Sequence, residues 1–240
     1  MAQATIEGQV ALITGGGSGV GAESAKALAD LGVHTVLTGR REDRLREVSE
    51  SLATRGAYVA ADITELDTPQ HLVTTTIEQF ERLDLVIHAA GAFEKRSLEA
   101  TDAEFWHRII DLNLTAVVAL TRSAWPHLIK TAGQVVLISS AAALRGFAGN
   151  AAYAASKGGM NAFGEVLRVE GQPHRIRILT LSPAQIDTEL WDGRAPDAVR
   201  SKMIRPQGFG HLVAALVSSD RSIDYAPLPI QTPTDPWSAT

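Results

Sequence analysis

The chain lacks cysteine and is poor in tyrosine. Its 240 residues include no cysteine and only three tyrosines, Tyr58, Tyr153 and Tyr225. The absence of cysteine excludes disulfides, thiolate nucleophiles, cysteine-bound zinc and iron–sulfur clusters, and we predict no metal site. Any chemistry that needs a phenol therefore has three candidate residues.

The chain also lacks a surplus of basic residues and any long apolar run. Lysine and arginine number 22 against 27 aspartates and glutamates, which gives a net charge of −5 at pH 7. Because phosphate backbones need a basic face, nucleic acid is excluded as the main ligand, although a small basic pocket is still allowed. Residues 1–10 contain no positively charged stretch followed by an apolar one, and no run reaches the ~18 apolar residues that span a membrane. We therefore expect a cytoplasmic protein with no membrane segment.

Composition and length favour one soluble globular domain. Hydrophobic residues make up 45% of the chain and charged residues 20%, which is typical of soluble proteins. The length allows one large domain or two small ones. No Ser/Gly or Pro linker divides the chain and no repeat of fixed period is present, so we predict a single domain over residues 1–240. The proline-rich segment 226–236 predicts a C-terminal strand followed by a loose end, in a short tail of about residues 226–240.

Short apolar runs alternate with longer helical segments, a pattern that predicts strands connected by helices. The predicted strands cover residues 10–14, 34–38, 58–60, 85–88, 134–139, 176–182 and 228–231. The predicted helices cover residues 20–31, 42–55, 69–82, 103–130, 151–172 and 206–218. Strands before residue 140 are apolar throughout, as expected where helices cover both faces. We predict an α/β fold with a doubly wound parallel sheet of about seven strands and helices on both faces.

A glycine-rich segment, T-G-G-G-S-G-V-G, covers residues 14–21, between the first predicted strand and the first predicted helix. Glycines permit a sharp turn and bring the backbone close to a pyrophosphate, whose charge the N–H groups and dipole at the helix start favour. A phosphate loop for nucleoside triphosphates would need Gly-Lys-Ser/Thr, where this chain has Gly21, Ala22 and Glu23. The position after the first strand favours a dinucleotide site over a turn that serves only packing.

Three groups able to carry chemistry are predicted to converge at one edge of the sheet. Tyr153 and Lys157 lie four residues apart in a predicted helix and therefore share a face. Alone, such a pair is more often a solvated helix face. Here Ser139 and Ser140 end the preceding strand, at the carboxyl edge where open α/β sheets bind ligands. A hydroxyl, a phenol and an ammonium would meet there.

These segments together resemble the short-chain dehydrogenase/reductase family, and the resemblance covers residues 10 to about 188. Residues 14–21 are similar to the family motif T-G-x-x-x-G-x-G, and residues 88–91 stand where the family has N-N-A-G. Ser140 precedes Tyr153 by the usual family spacing, which favours it over Ser139. The resemblance implies a Rossmann-like fold and an oxidoreductase that binds a nicotinamide dinucleotide.

The resemblance also implies a catalytic tetrad of Ser140, Tyr153, Lys157 and Asn113. Tyr153 is then the general acid for carbonyl reduction, and Ser140 hydrogen-bonds the substrate oxygen. Lys157 holds the nicotinamide ribose and lowers the phenol pKa, while Asn113 bends its helix and holds the water of a proton relay. Asp62 resembles the aspartate that contacts the adenine.

Two positions depart from the family pattern. His88 replaces the first Asn of N-N-A-G, and Ala184 replaces the glycine after Pro183. A hydrogen-bonded core histidine is the favoured interpretation of His88 over a catalytic one. The methyl group of Ala184 is compatible with a negative φ, although it could crowd the nicotinamide. Neither departure removes a member of the tetrad.

The end of the second strand predicts a preference for NADP(H) over NAD(H). An acidic residue there would bind the ribose of NAD and repel a 2′-phosphate. This chain has Gly39 at that place, followed by Arg40 and Arg41, and guanidinium groups suit phosphate. Arg40 is the expected main contact and Arg41 the secondary one, although two arginines could merely solvate the start of a helix. The predicted cofactor-binding residues are Thr14, Gly15, Gly17, Ser18, Gly19, Val20, Gly21, Arg40, Arg41, Asp62, Ile63, Ala89, Ala90, Gly91, Tyr153, Lys157, Pro183, Ala184, Ile186 and Thr188.

The predicted substrate is a small uncharged ketone, aldehyde or alcohol. The loops after strands four to six offer a mostly apolar set and no clamp for a carboxylate or phosphate. These residues are Ala92, Phe93, Ala142, Leu144, Phe147, Leu190 and Trp191. Epimerase and dehydratase chemistry on the same scaffold stays open. A non-catalytic dinucleotide sensor or scaffold is the alternative from another class, and the complete tetrad argues against it.

The resemblance further implies a homodimer or homotetramer, built on the helices predicted at residues 103–130 and 151–172. Trp125, Phe163 and Leu167 could face a partner subunit, and packing in the core is an equal alternative for them.

Overall fold

A computed structural model describes residues 5–238 of the chain. Seven parallel strands form one sheet in the order β3-β2-β1-β4-β5-β6-β7. The strands are β1 Val10–Thr14, β2 His34–Gly39, β3 Gly56–Ala60, β4 Leu85–His88, β5 Gln134–Ile138, β6 Arg177–Pro183 and β7 Leu228–Ile230. The predicted doubly wound parallel sheet is confirmed.

Eight α-helices flank the sheet in the described part of the chain. They are α1 Gly19–Ala29, α2 Glu42–Glu50, α3 Thr68–Phe80, α4 Ala103–Ile110, α5 Ala116–Thr131, α6 Ala151–Gly171, α7 Asp197–Arg200 and α8 Pro206–Val217. The helix predicted at 42–55 ends earlier, and β3 begins at Gly56 because the strand packs there against Ser49 and Leu52. The short α7 had no signal in the sequence.

The sheet separates two hydrophobic cores, because alternate side chains of each strand point to opposite faces. Ile13 of β1 packs in the core beneath α1, α2 and α8, with Leu28 and Phe209. Leu12, the preceding residue, packs in the other core beneath α3, α5 and α6, with Leu120. All five residues of β1 are buried, which explains why the strand is apolar throughout.

Three residues that could have faced a partner subunit instead belong to this second core. Leu167 is buried in it, and Trp125 and Phe163 pack against it. Of the two interpretations of these residues, the structure supports core packing.

Reversal of the strand order between β1 and β4 places a crevice at the carboxyl ends of those two strands. Thr14 and His88 are paired at these ends. In open α/β sheets such a reversal point is where ligands bind. The loops that follow β1, β4, β5 and β6 all open toward this edge.

The C-terminal tail is more ordered than the sequence predicts. β7 pairs with β6, so the predicted strand is confirmed. The expected loose end is wrong for residues 235–238, which form a turn with Pro236 buried and Ser238 N–H donating to Asp235 O at 3.0 Å. The turn is held by contacts with residues more than thirty positions earlier, which local sequence does not reveal.

Within residues 5–238, no helix is both long enough and apolar enough to cross a membrane. The same residues contain no cluster of three or more histidine, aspartate or glutamate side chains placed to hold a metal ion.

Candidate active site

The glycine loop is held close to the end of β4. Gly15 has a φ of +67°, and a Cβ on it would lie 2.9 Å from Ala90 N. Thr14 Oγ1 accepts hydrogen bonds from Ala89 N at 3.2 Å and Ala90 N at 3.1 Å. A Cβ on Gly21 would lie 2.3 Å from Gly15 O, so no larger residue fits without moving the loop. Glycine is therefore required at these two positions by a positive φ or by close contact with neighbouring backbone atoms.

The start of α1 offers backbone donors to an anion. The first hydrogen bond of the helix runs from Ala22 N–H to Ser18 O, and the Ser18 side chain makes no capping bond. N–H groups in a first helical turn have no partner within the helix. Together with the helix dipole they fit a pyrophosphate.

A cavity of about 560 Å³ extends from the glycine loop to the ends of β2, β3 and β4. Ten predicted cofactor residues line it: Thr14, Gly15, Gly17, Ser18, Arg40, Arg41, Asp62, Ile63, Ala90 and Gly91. Ten others do not: Gly19, Val20, Gly21, Ala89, Tyr153, Lys157, Pro183, Ala184, Ile186 and Thr188. Gly19 and Thr188 instead border a neighbouring cavity of about 230 Å³.

Sequence reasoning missed part of the cavity wall. The residues not predicted to bind the cofactor are Thr38, Gly39, Leu45, Ala61, Thr64, Ala92, Arg108, Asp111 and Leu112. Ala92 was predicted for the substrate pocket, and Gly39 was predicted to stand where an NAD-binding acid would be. Most of the others adjoin predicted site residues, as Leu112 adjoins Asn113. Arg108 had no such signal, because its place depends on how α4 packs over the site.

The adenosine end of the cavity combines charge with an unsatisfied hydroxyl. Thr38 Oγ1 is buried in the cavity wall without a hydrogen-bond partner. Thr64 N–H donates to Asp62 Oδ1 at 3.0 Å, and this bond lowers the pKa of Asp62, with a smaller contribution from Arg40. An ionised acceptor and guanidinium groups fit the polar half of a dinucleotide.

The two arginines after β2 differ in the hydrogen bonds that their side chains form. Arg41 donates to Glu189 Oε2 at 2.7 Å and to Ser18 Oγ at 3.0 Å. Arg40 is exposed and forms no hydrogen bond or ion pair with any of residues 5–238. Its guanidinium is therefore available to a ligand, whereas Arg41 would first have to leave Glu189.

Asn113 lies in a π-helical turn, Asp111–Thr115, that interrupts the helix predicted over residues 103–130. Its side chain is fully buried and donates to Ala92 O at 3.0 Å and to Ser156 Oγ at 3.1 Å. Its Oδ1 accepts from Ala92 N at 2.9 Å. The π-turn divides the helix predicted over residues 103–130 at the place where the family resemblance implies a bend, and it turns Asn113 toward the end of β4.

Lys157 is buried in the floor of the site, with 4% of its surface exposed. Its Nζ donates to Ile138 O at 2.8 Å, and burial lowers its pKa to about 8. A Cβ on Gly91 would lie 3.7 Å from this Nζ and 3.2 Å from Asn113 Oδ1. Lys157 and Asn113 therefore both lie next to Gly91, which lines the end of the cavity.

Tyr153 shares a helix face with Lys157, whose Nζ is 5.9 Å from the centre of the phenol ring. Burial raises the pKa of Tyr153, and a hydrogen bond with the Ser140 hydroxyl acts in the opposite direction. The phenol therefore stays protonated at neutral pH. Lowering of the phenol pKa by Lys157 stays a prediction.

The two serines at the end of β5 have different partners. Ser139 is buried and its Oγ donates to Lys157 O at 3.2 Å, which ties β5 to α6. Ser140 Oγ accepts from Ala142 N at 3.1 Å, and its hydroxyl lies near enough to Tyr153 to lower the pKa of the phenol. This difference supports the choice of Ser140 over Ser139.

The two residues that depart from the family pattern fit their positions without strain. His88 is buried, with Nε2 at 2.9 Å from Thr121 Oγ1, and burial lowers its pKa to about 3. A neutral, hydrogen-bonded core histidine fits this geometry. Ala184 is not among the residues with positive φ, and its N–H donates to Ile230 O at 2.7 Å.

Comparisons with known proteins agree with this architecture. The family model described as short chain dehydrogenase matches residues 9–198. This chain belongs to the short-chain dehydrogenase family. Members of this family are oxidoreductases that bind a nicotinamide dinucleotide and act on small molecules.

Individual relatives of this short-chain dehydrogenase are distant. An L-fucose dehydrogenase of Bos taurus is 33% identical over 186 residues, which cover 77% of this chain and 68% of that protein. An uncharacterized oxidoreductase of Listeria innocua is 29% identical over 97% of this chain and its own full length. A structure titled as an alcohol dehydrogenase from Thermococcus sibiricus complexed with 5-hydroxy-NADP has a TM-score of 0.85 at 22% identity, covering 93% of this chain and 95% of its own. That likeness shows the fold alone.

Proposed function

We propose that this protein is an NADP(H)-dependent oxidoreductase that interconverts a ketone or aldehyde and the corresponding alcohol. The observation that carries the proposal is the grouping of Ser140, Tyr153 and Lys157 beside Gly91, where the dinucleotide cavity ends. A pure sensor or scaffold has no physical need for a buried ammonium and a buried phenol beside a serine hydroxyl at that place.

The side chains have distinct roles in the direction of reduction. Tyr153 donates its phenol proton to the carbonyl oxygen, and Ser140 Oγ hydrogen-bonds the same oxygen. A reduced nicotinamide, when bound, would supply the hydride for the carbonyl carbon and become oxidised, so that the product gains one C–H and one O–H bond. Lys157 Nζ would hold the ribose hydroxyls next to the nicotinamide. Its ammonium also favours the phenolate that the reverse direction needs.

Asn113 supports the relay that returns a proton to Tyr153. Its amide fixes Ala92 and Ser156, and Oδ1 keeps one lone pair for a water molecule. The role is one of positioning, because three of its hydrogen bonds are made to the protein.

The preference for NADP(H) rests on Arg40. Its exposed side chain lines the cavity and forms no hydrogen bond or ion pair with any of residues 5–238. Gly39 leaves no carboxylate there to repel a 2′-phosphate. Arg41, paired with Glu189, is the secondary contact.

Substitution Arg40→Asp tests this preference. A bidentate phosphate contact contributes about 1.5–3 kcal/mol, so we expect KM for NADPH to rise at least tenfold while KM for NADH stays the same or falls. The measurement compares both KM values in the wild type and in the variant. Arg46→Asp is the matched control, because it makes the same charge change at an exposed position of α2 that does not line the cavity. An unchanged NADPH/NADH ratio in Arg40→Asp contradicts the assignment.

The substrate is proposed to be small and uncharged. Phe93 packs on Tyr153, and Trp191 packs on Phe93. Leu144 and Phe147 are exposed in the loop that joins β5 to α6. These groups favour an apolar carbonyl compound over a carboxylate or phosphate.

A further inference from the structure

Three aromatic side chains extend in a row from the reactive phenol to the C-terminal tail. The Phe93 ring meets the Tyr153 ring edge to face, with 5.1 Å between centroids. Trp191 follows at 5.9 Å from Phe93, and Trp237 at 6.2 Å from Trp191. Centroid separations in this range are those of attractive aromatic pairs. Trp237 is thus linked to Phe93 and the phenol through Trp191.

The segment that carries Trp191 is fastened at both of its ends. Arg200 donates to Asp187 Oδ1 and to Asp192 Oδ1, each at 2.6 Å. Arg194 donates to Leu190 O at 3.1 Å and to Phe93 O, and its guanidinium lies 5.7 Å from the Phe93 ring centre. The backbone around Trp191 is therefore fixed relative to Phe93.

The guanidinium groups near the aromatic row already have hydrogen-bond partners within the protein. The guanidinium groups of Arg194 and Arg200 are committed to the backbone and carboxylate partners of this segment. What the segment presents next to Phe93 is the flat indole of Trp191. Such a surface contacts planar apolar groups well and gives a small aliphatic group little area to bury.

The C-terminal turn is docked onto this segment. Pro236 is buried, and Trp237 N–H donates to Asp235 Oδ1 at 3.0 Å. Lys202 Nζ donates to Ser238 O at 3.2 Å, which links the turn to the residues that follow α7. Trp237 keeps 49% of its surface exposed, so its ring contributes little to a core and its contact is with Trp191.

We propose that the C-terminal turn, residues 235–238, clamps Trp191 against Phe93, and that the resulting aromatic wall selects carbonyl compounds that carry a planar apolar group, such as aryl ketones. The inference rests on the proposed carbonyl–alcohol function and names its substrate class. Trp191 forms the wall, and Trp237 is a positioning residue that acts through it.

Two methyl ketones and two variants test the clamp. Acetophenone and butan-2-one differ only in the group, phenyl or ethyl, that would meet the wall. We expect the wild type to have the lower KM for acetophenone. Loss of one aromatic pair in Trp237→Ala should raise that KM about fivefold, with KM for butan-2-one and both kcat values unchanged. Trp237→Phe keeps a ring and should restore most of the affinity.

The matched control is Ile223→Ala. Ile223 is 47% exposed, almost as much as Trp237, and lies in the loop after α8, near Asp220 at the opposite edge of the sheet. It should leave both KM values unchanged. An equal rise of KM for both ketones in Trp237→Ala, or no rise for either, overturns the clamp.

Calorimetric binding of acetophenone to the protein saturated with NADP⁺ separates this inference from the proposed function. If neither ketone is reduced but acetophenone binds and Trp237→Ala weakens that binding, the proposed function fails and the aromatic clamp stands. If both ketones are reduced with equal KM in the wild type, the clamp fails and the proposed function stands. Absence of acetophenone binding to the wild type overturns the clamp in either case.

Discussion

At the scale of single residues, burial shifts the pKa values of the two central groups toward their neutral forms. It lowers the pKa of Lys157 to about 8 from its ordinary 10.5, and it raises the pKa of Tyr153 above 10.0. A protonated phenol is the form that reduction needs. A buried ammonium, in contrast, is held in the site at a cost to the fold.

Lys157 therefore makes stability depend on pH. Below pH 8 the folded protein bears the full penalty of the buried charge, because Lys157 is protonated in both states. Between pH 8 and 10 the folded state binds fewer protons than the unfolded state, so the free energy of unfolding rises with pH. The whole effect is on the order of 3 kcal/mol. Above pH 10 the raised pKa of Tyr153 acts in the opposite direction, since the unfolded phenol ionises first.

The difference in unfolding free energy between Lys157→Met and the wild type should accordingly change across this window. At pH 7 we expect removal of the buried charge to raise the free energy of unfolding of the variant relative to the wild type. This advantage should disappear as the pH approaches 10. The variant also loses the hydrogen bond from Lys157 Nζ to Ile138 O, which lowers its free energy of unfolding by an amount that does not vary with pH. Urea unfolding at several pH values measures the difference, and a difference that is constant from pH 7 to 10 contradicts the buried ammonium.

At the scale of elements, the glycine loop and the π-helical turn differ in how far sequence predicts them. The loop was predictable because its signal is local: a strand, glycines and a helix start stand in order within residues 10–29. For the π-turn, the family resemblance implies a bend at Asn113, but its hydrogen bonds to Ala92, 21 residues earlier, have no local signal. The Arg41–Glu189 pair, 148 residues apart, and the docking of Trp237 on Trp191 were hidden for the same reason.

Gly21→Ala tests the geometry of the loop. Its Cβ would lie 2.3 Å from Gly15 O, so the loop must shift, and we expect loss of measurable NADPH binding together with a lower melting temperature. Calorimetry and thermal unfolding measure the two effects. Gly208→Ala is the matched control, because that exposed position in α8 has no atom within 4 Å of the added carbon. It should stabilise the protein by about 0.5–1 kcal/mol. Normal NADPH binding by Gly21→Ala would contradict the close approach.

At the scale of the whole molecule, the doubly wound parallel sheet and the family were predicted, because alternating apolar runs and the order of the motifs indicate them. The strand order and the division into two cores were not predicted, because they depend on which strands pair. Strands from Val10 to Ile230 join one sheet, which supports the single predicted domain. The sequence left two roles open for Leu167 and its neighbours, because their burial depends on how α5 and α6 pack.

The outer face of α6 is now the better candidate for the homodimer or homotetramer that the family resemblance implies. Val166 and Val169 are 53% and 72% exposed there, one helical turn apart. We predict that Val169→Glu lowers the mass measured by light scattering, because a carboxylate would be buried in the interface. Leu66→Glu, at a 93% exposed position outside the helices, should not change the mass. A monomeric wild type, or an unchanged mass in Val169→Glu, contradicts the prediction.

The central claim is that Tyr153 supplies the proton for reduction of a carbonyl compound. The most direct measurement is the oxidation of NADPH, followed by absorbance, with a panel of ketones and aldehydes for the wild type, Tyr153→Phe and Tyr225→Phe. Tyr225 is the matched control, since its phenol donates to Ser219 Oγ outside the candidate site. We predict turnover by the wild type and Tyr225→Phe, and at least a thousandfold lower kcat in Tyr153→Phe (about 4 kcal/mol) with NADPH binding retained. Turnover that persists in Tyr153→Phe would contradict the account.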